Sequence, residues 1–236
     1  MSATLHMIIE REDLRDRAQV FRDRGHAGAV LAEMLAPRFD RHPRALVLAI
    51  PAGGLPVAAP IAQRLALPLD LAVVSKITLP WNTESGYGAV AFDGSVHLND
   101  ALLRQIGLGQ AEIEAGIART REKVLRRNAS LRNNRSYDSV AGADVVLVDD
   151  GLASGVTLRA AIAALRASGA ESITVAVPTA SESSARAIAD SVEALYCANV
   201  RAGYRFAVAD AYEQWSDVDE HTARAILATF HSAGSP

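Results

Sequence analysis

Four short segments of the chain are apolar without alternation: residues 45–50 (ALVLAI), 70–75 (DLAVVS), 145–149 (VVLVD) and 173–177 (ITVAV). A strand with one face in water alternates polar and apolar side chains, so runs of this kind read as strands covered on both faces. A fifth candidate, 194–198, has the same character. Between them lie segments with helical spacing, near 57–65, 110–131, 156–167 and 181–190. Strands that alternate with helices in this way imply a parallel sheet with right-handed crossovers. The expectation is an α/β fold: a twisted, mainly parallel sheet of about five strands, flanked by helices.

Two stretches depart from that rhythm. Residues 86–99 (GYGAVAFDGSVHLN) place Asp93-Gly94 between two apolar runs, the signature of a β-hairpin. Residues 203–215 are rich in Tyr and Phe and precede Ser216-Asp-Val-Asp219, a capping-box pattern expected to open a last helix ending near Phe230. The tail 231–236 is expected to fray. No repeat or long linker divides the chain, so residues 1–236 read as one domain, with a small hood from the terminal segments.

Bulk numbers narrow the function. Lys+Arg 24 against Asp+Glu 27 gives a net charge of −3, without the basic excess of a non-specific nucleic-acid binder. The one cysteine, Cys197, can form no internal disulfide and excludes zinc sites built on several thiolates, which suits a reducing cytoplasm. The start of the chain has no basic flank and no long apolar run. The longest uncharged stretch, 45–63, carries Pro51, Pro56, Pro60 and Gly53-Gly54, which would break a membrane helix. A cytoplasmic protein with no membrane or nucleic-acid partner is expected.

The segment richest in chemistry is Val145-Val-Leu-Val-Asp149-Asp150-Gly151-Leu-Ala153-Ser154-Gly155-Val156-Thr157-Leu158. A buried strand runs into two acids, then a tight turn of small residues, then a helix. Ligands of open parallel sheets sit at the carboxyl ends of strands, where this segment turns. Gly155 would let the backbone approach an anion, and the amides around Ser154–Thr157 open a helix at its positive end. The Ser154 and Thr157 hydroxyls add donors. That combination makes a phosphate cradle. Asp149 and Asp150 could accept ribose hydroxyls or hold Mg²⁺ through water, as hard oxygen ligands do.

This segment resembles the phosphoribosyl-pyrophosphate (PRPP) signature of the type I phosphoribosyltransferases: a hydrophobic strand, two acids, two variable residues, a small or hydroxyl pair, Gly, any residue, then Thr or Ser. A plain strand–turn–helix is the alternative reading. Ile50-Pro51-Ala52-Gly53-Gly54-Leu55-Pro56 is similar to the family's pyrophosphate loop, whose amides face the leaving group. It stands nearest a subgroup of uncharacterised bacterial members in which the loop reads Pro-Arg-Gly-Gly. Ala52 departs from that pattern and removes a guanidinium that could pair with phosphate oxygens. The resemblance continues through Val73-Val-Ser-Lys76 to the late aromatic stretch, over about residues 18 to 230.

The resemblance implies transfer of a 5-phosphoribosyl group from Mg²⁺-PRPP to a nucleobase or related heterocycle, with release of pyrophosphate, in a homodimer. It implies that Ala153, Ser154, Gly155, Val156 and Thr157 hold the 5′-phosphate. Asp149 and Asp150 take the ribose hydroxyls and the metal, while Ala52, Gly53, Gly54 and Lys76 face the pyrophosphate. It also implies that 77–88, with Trp81, Asn82, Glu84 and Gly86, covers the substrate as a mobile flap. On residues alone that stretch reads as a surface loop, and Lys76 as equally a solvated strand-end lysine. A PRPP- or nucleotide-binding regulator without catalysis, and a phosphoribosyl hydrolase or phosphorylase, are the alternative functions.

The basic run Arg119, Arg121, Lys123, Arg126, Arg127, Arg132 and Arg135 reads as the outer face of an amphipathic helix, because Ile113, Ile117, Val124 and Leu131 lie near helical spacing on the same segment. The six histidines show no metal-ligand spacing, and no Gly-x-Ser-x-Gly elbow or His-Glu-x-x-His helix occurs. Phe206, Tyr212 and Trp215 read either as a base-stacking hood or as core.

Overall fold

The computed structural model describes residues 7–203 and 205–233, with side chains for all of these except 83–85 and 231–233. In chain order the strands are β1 (Met7–Ile9), β2 (Ala45–Ala49), β3 (Leu69–Leu71), β4 (Ser75–Leu79), β5 (Asn82–Val90), β6 (Val96–Leu98), β7 (Asp144–Val148), β8 (Ser172–Ser181) and β9 (Ala194–Arg201). The helices are α1 (Arg24–Phe39), α2 (Leu55–Leu65), α3 (Asp100–Ile106), α4 (Gln110–Arg132), α5 (Val156–Ala167), α6 (Glu182–Ala189) and α7 (Glu220–Ala233). Six strands form one sheet in the order β1-β9-β8-β7-β2-β3, every pair parallel. β4, β5 and β6 form a second, antiparallel sheet.

The apolar runs are continuous because alternate residues feed two separate cores. Val47 and Ala49 of β2 join Val146 and Val148 of β7 in one cluster, with Leu31, Leu35 and Phe39 of α1 and Ile61 and Leu65 of α2. Leu46, Leu48, Val145 and Leu147 join the other, with Leu158, Ile162 and Leu165 of α5 and Ile188 of α6. Burying a Leu, Ile or Val is worth about 1.5–3 kcal/mol, so both faces of the sheet are driven into place.

The run 70–75 is not one strand. Ala72 N–H donates to Ala49 O at 2.9 Å, and β2 ends at Ala49, so beyond it the chain has no neighbour to pair with and β3 stops. Ser75 then starts the second sheet. The expected hairpin is β5–β6, and Gly94 takes its turn at φ +82. Residues 77–88 form the β4–β5 hairpin rather than a loop, with Trp81 exposed at its tip; the side chain of Glu84 lies outside those described. α7 is capped by Asp219, whose Oδ1 accepts from Thr222 N–H at 2.8 Å, and not by Ser216. Its helix runs on to Ala233, and the remainder of the expected tail lies outside the described residues. No helix among the described residues is long and apolar enough to cross a membrane.

Candidate functional site

The parallel register of β2 and β7, with Ala49 opposite Val148, brings the ends of both strands to one edge of the sheet. Ile50 N–H donates to Val148 O at 2.8 Å. The 50–54 loop and the 149–155 turn therefore leave the sheet side by side. A cleft of about 380 Å³ opens above them, lined by both loops, by Ser75, Lys76 and Thr78 of β4, and by Lys123 and Arg127 of α4.

Contact between the two loops depends on glycine. A Cβ on Gly54 would lie 2.7 Å from the carbonyl oxygens of Ile50 and Val148 and 3.0 Å from Asp149 Cα. A Cβ on Gly53 would collide with the Asp150 carboxylate. The Pro51–Ala52 peptide is cis. Gly53 lines the cleft, whereas Ala52 is half-buried and packs against the apolar cluster beneath the loop.

The start of α5 is built as the sequence indicated, with a different part for Gly155. Gly155 caps the helix in the left-handed region, at φ +70. A Cβ there would lie 3.1 Å from Leu152 Cδ1 and 3.4 Å from Ile188 Cδ1, so the glycine meets a backbone and packing demand while it also lines the cleft. The N–H groups of the first turn of α5 have no intrahelical partner and open beside exposed Ala153 and Ser154. The loop itself is tied to α6, since the Ser184 hydroxyl donates to Ala153 O.

Asp149 and Asp150 stand on the floor of the cleft. Asp150 N–H donates to Asp149 Oδ1 at 2.9 Å. Burial, and then the charge of Asp150, push the Asp149 carboxyl well above the usual carboxylate range. Asp150 is also raised by burial, against the opposing charge and hydrogen bonds of Arg24. Arg24, which opens α1, was not singled out in the sequence. Its Nε and Nη2 donate to Asp150 Oδ2, Nη1 donates to Ser216 O at 2.8 Å, and the guanidinium stacks 3.8 Å from the Trp215 ring centre.

Residues 19–21 and 210–213 run side by side. Gln19 and Phe21 N–H groups donate to Asp210 O and Ala211 O, and Glu213 N–H donates back to Phe21 O. Tyr212 is buried and gives its hydroxyl to Asp150 O at 2.7 Å. It is therefore part of the support for the acids and has no free face for a base. Trp215 keeps 39% of its surface exposed.

The basic run does not form one outer face. Arg132 is buried and pairs through two N–H groups with Asp70, at 2.9 Å each. Lys123 and Arg127 line the cleft. Arg119, Arg121 and Arg126 are exposed, as expected.

Among the described residues no three His, Cys, Asp or Glu side chains converge as a cage for a metal ion. The donors that exist are two adjacent hard carboxylates. These suit Mg²⁺ that brings oxygen ligands of its own, since Mg²⁺ keeps several waters and binds through one or two carboxylates plus phosphates.

Comparison with known proteins supplies a family for this arrangement. Residues 92–206 match the family described as the phosphoribosyl transferase domain. A Mycobacterium tuberculosis protein named "Putative phosphoribosyl transferase Rv0571c" is 33% identical over 213 residues, covering 90% of this chain. The crystal structure of TT1426 from Thermus thermophilus superposes with a TM-score of 0.71 at 35% identity, covering 89% of this chain and 98% of that one. The chain belongs to the phosphoribosyltransferase family. It spans 47% of the length of the mycobacterial relative. Within the family match lie the two acids, the turn and the start of α5, whereas Arg24, the 50–54 loop and Lys76 lie ahead of it.

Proposed function

We propose that this phosphoribosyltransferase moves a 5-phosphoribosyl group from Mg²⁺-PRPP to a nucleobase-like heterocycle and releases pyrophosphate. The observation that carries the reading is the strand end Asp149-Asp150 feeding directly into an open helix N-terminus within one cleft. The first-turn amides of α5, with Ser154 and Thr157, bind the 5′-phosphate, because N–H groups and helix dipole favour a dianion there. Asp149 and Asp150 accept the ribose hydroxyls. Gly53 presents backbone to the diphosphate, Gly54, whose N–H donates to Ile50 O, holds the loop in shape, and Lys76 faces the diphosphate from β4.

Breaking the bond between ribose C1 and the diphosphate leaves positive charge on the sugar and negative charge on the leaving group. The chain's part is to hold both ends in place and to meet the developing charge with fixed groups. Asp149 and Asp150 would hold Mg²⁺, which would supply positive charge against the diphosphate. In this proposal residues 1–236 act as one unit, in the cytoplasm and as a homodimer.

The test is pyrophosphate release from PRPP in the presence of Mg²⁺ and a panel of nucleobases. Base-dependent release supports the transferase. Release without any acceptor supports a hydrolase instead, and PRPP binding with no release under any condition supports a regulator.

A further inference from the structure

The cleft carries positive charge from an element that its carboxyl-edge loops do not include. Lys123 and Arg127, four residues apart on α4, line it together with Lys76, since side chains at i and i+4 share a helix face. Arg127 reaches across to β4, where Nη1 lies 3.5 Å from Ser75 Oγ, while its Nε donates to Glu220 Oε1 at 3.1 Å.

The sheet order gives this group a definite address. The 153–157 turn follows β7, the 50–54 loop follows the next strand, β2, and Ser75 and Lys76 follow the strand after that, β3. Neighbouring strands lie about 4.8 Å apart, so the cations stand on the order of 10 Å along the edge from the helix N-terminus. A ligand with a phosphate at one end and a stronger anion at the other spans that interval.

Charge points the same way. Desolvation, then the neighbouring Arg127 and Arg126, push the Lys123 ammonium below its usual range; Glu220 opposes the shift and Lys76 adds to it. Glu220 already stands against Arg127, and like charges gathered in a cleft favour a further anion among them. The loop opposite offers no side-chain cation of its own, since position 52 is alanine.

We infer that Lys123 and Arg127, with Lys76, form a second anion station, which takes the diphosphate end of the donor in place of a guanidinium on the 50–54 loop. The identity of the donor rests on the proposed function; the station itself rests on the cation geometry. Glu220 is the internal counter-ion of Arg127, which the diphosphate displaces.

The experiment is calorimetric titration of the intact chain with inorganic pyrophosphate and, separately, with ribose 5-phosphate, at fixed Mg²⁺. Lys123→Gln and Arg127→Gln should each weaken pyrophosphate about tenfold and leave ribose 5-phosphate within about twofold. Glu220→Gln, which removes the competing carboxylate, should tighten pyrophosphate about threefold. Lys123 is exposed, so its variant keeps the test alive if Arg127→Gln does not fold. No pyrophosphate binding by the unaltered chain, or affinity unchanged in Lys123→Gln, overturns the inference. So does an equal loss for both ligands, which would mark a general field rather than a station. If pyrophosphate binds and is lost in Lys123→Gln while ribose 5-phosphate never binds, the station stands and the phosphoribosyl reading falls.

Discussion

Arg24 Nε and Nη2 both donate to a single oxygen of Asp150, Oδ2, at 2.9 and 2.8 Å. The two residues are 126 positions apart. The pairing leaves the fork of the guanidinium on one side of the carboxylate and fixes its plane, because two N–H groups on one acceptor permit little rotation. An N–H of Nη1 goes to Ser216 O. Arg24 thus ties the first helix and the C-terminal hood to one acid of the cleft. It is a positioning residue in the proposed reaction.

Removing that guanidinium should alter the acid as well as the fold. Arg24 opposes the effect of burial on Asp150, so Arg24→Gln should raise the Asp150 carboxyl further. Ligand binding that needs the carboxylate should then shift to higher pH, with Arg24→Lys intermediate. The lost charged hydrogen bonds should cost about 2 kcal/mol, a drop of roughly 4–8 °C in Tm for a chain of this length. Binding titrations across pH check the first effect and calorimetric melting the second. A lower Tm with an unmoved pH profile would make Arg24 purely structural.

How much of this was legible before the fold was known depended on distance along the chain. The central strands could be read because burial on both faces writes itself as an unbroken apolar run, and the 145–158 segment because strand, acids, turn and helix are consecutive. α1 was missed although Asp23 caps it and Leu31, Leu35 and Phe39 repeat along one face; Arg24, Glu33, Arg38 and the internal Pro37 dilute that stripe. β1 has three residues and, among the described residues, pairs with β9 alone, too short a segment to show a period. In the capping-box pattern Ser216 stands in the cap position, whereas Asp219 three residues later caps the helix. Arg24, Lys123 and Arg127 were out of reach: their meaning comes from partners brought near by the sheet, and local spacing places Lys123 and Arg127 on an ordinary polar helix surface.

The raised carboxyl of Asp149 should make the ligand-free protein less stable as pH rises. Asp149 is raised in the folded chain, so between the ordinary carboxylate range and its folded value the native state binds more protons than the unfolded state. Stability is then lost as pH climbs through that window and levels off above it. Asp149→Asn keeps an oxygen that can accept from Asp150 N–H and removes the charge. It should match the unaltered chain near pH 4 and gain on it at higher pH, while losing Mg²⁺-PRPP affinity. Melting curves from acid to neutral pH check this. A difference that is constant with pH would place the ionisation elsewhere.

Two glycines of the site should fail in different ways. Gly54→Ala puts a methyl group against carbonyl oxygens of both loops, and those atoms belong to strand ends that cannot retreat. The 50–54 loop should be driven off β7, with loss of pyrophosphate binding as well as stability. Gly155→Ala meets the tip of Leu152, which can move, so its main cost is the left-handed backbone, about 1 kcal/mol. It should bind ribose 5-phosphate nearly as well as the unaltered chain. Urea unfolding and titration of both variants distinguish the cases; loss of ribose 5-phosphate in a folded Gly155→Ala would restore the view that this glycine makes room for the anion.

The same raised acids give ligand binding a proton signature. A divalent cation, or a ligand that carries one, is drawn to the ionised forms of Asp149 and Asp150. Both carboxyls are raised by burial before the ligand arrives, Asp149 also by the charge of Asp150. Positive charge beside them lowers both. Within the window between the ligand-free and liganded values, binding must therefore release protons, and affinity must rise with pH until the free carboxyls are fully ionised. Calorimetry of Mg²⁺-PRPP in buffers of different ionisation enthalpy should show apparent heats that vary with the buffer, with the sign of proton release. Asp149→Asn should reduce the release, because the more strongly raised acid has gone, and should flatten the rise of affinity with pH. Ribose 5-phosphate without metal should release fewer protons than Mg²⁺-PRPP, since no cation reaches the acids. Heats independent of the buffer at every pH would mean that the metal stays away from this pair, and its place would then be sought beside the diphosphate alone.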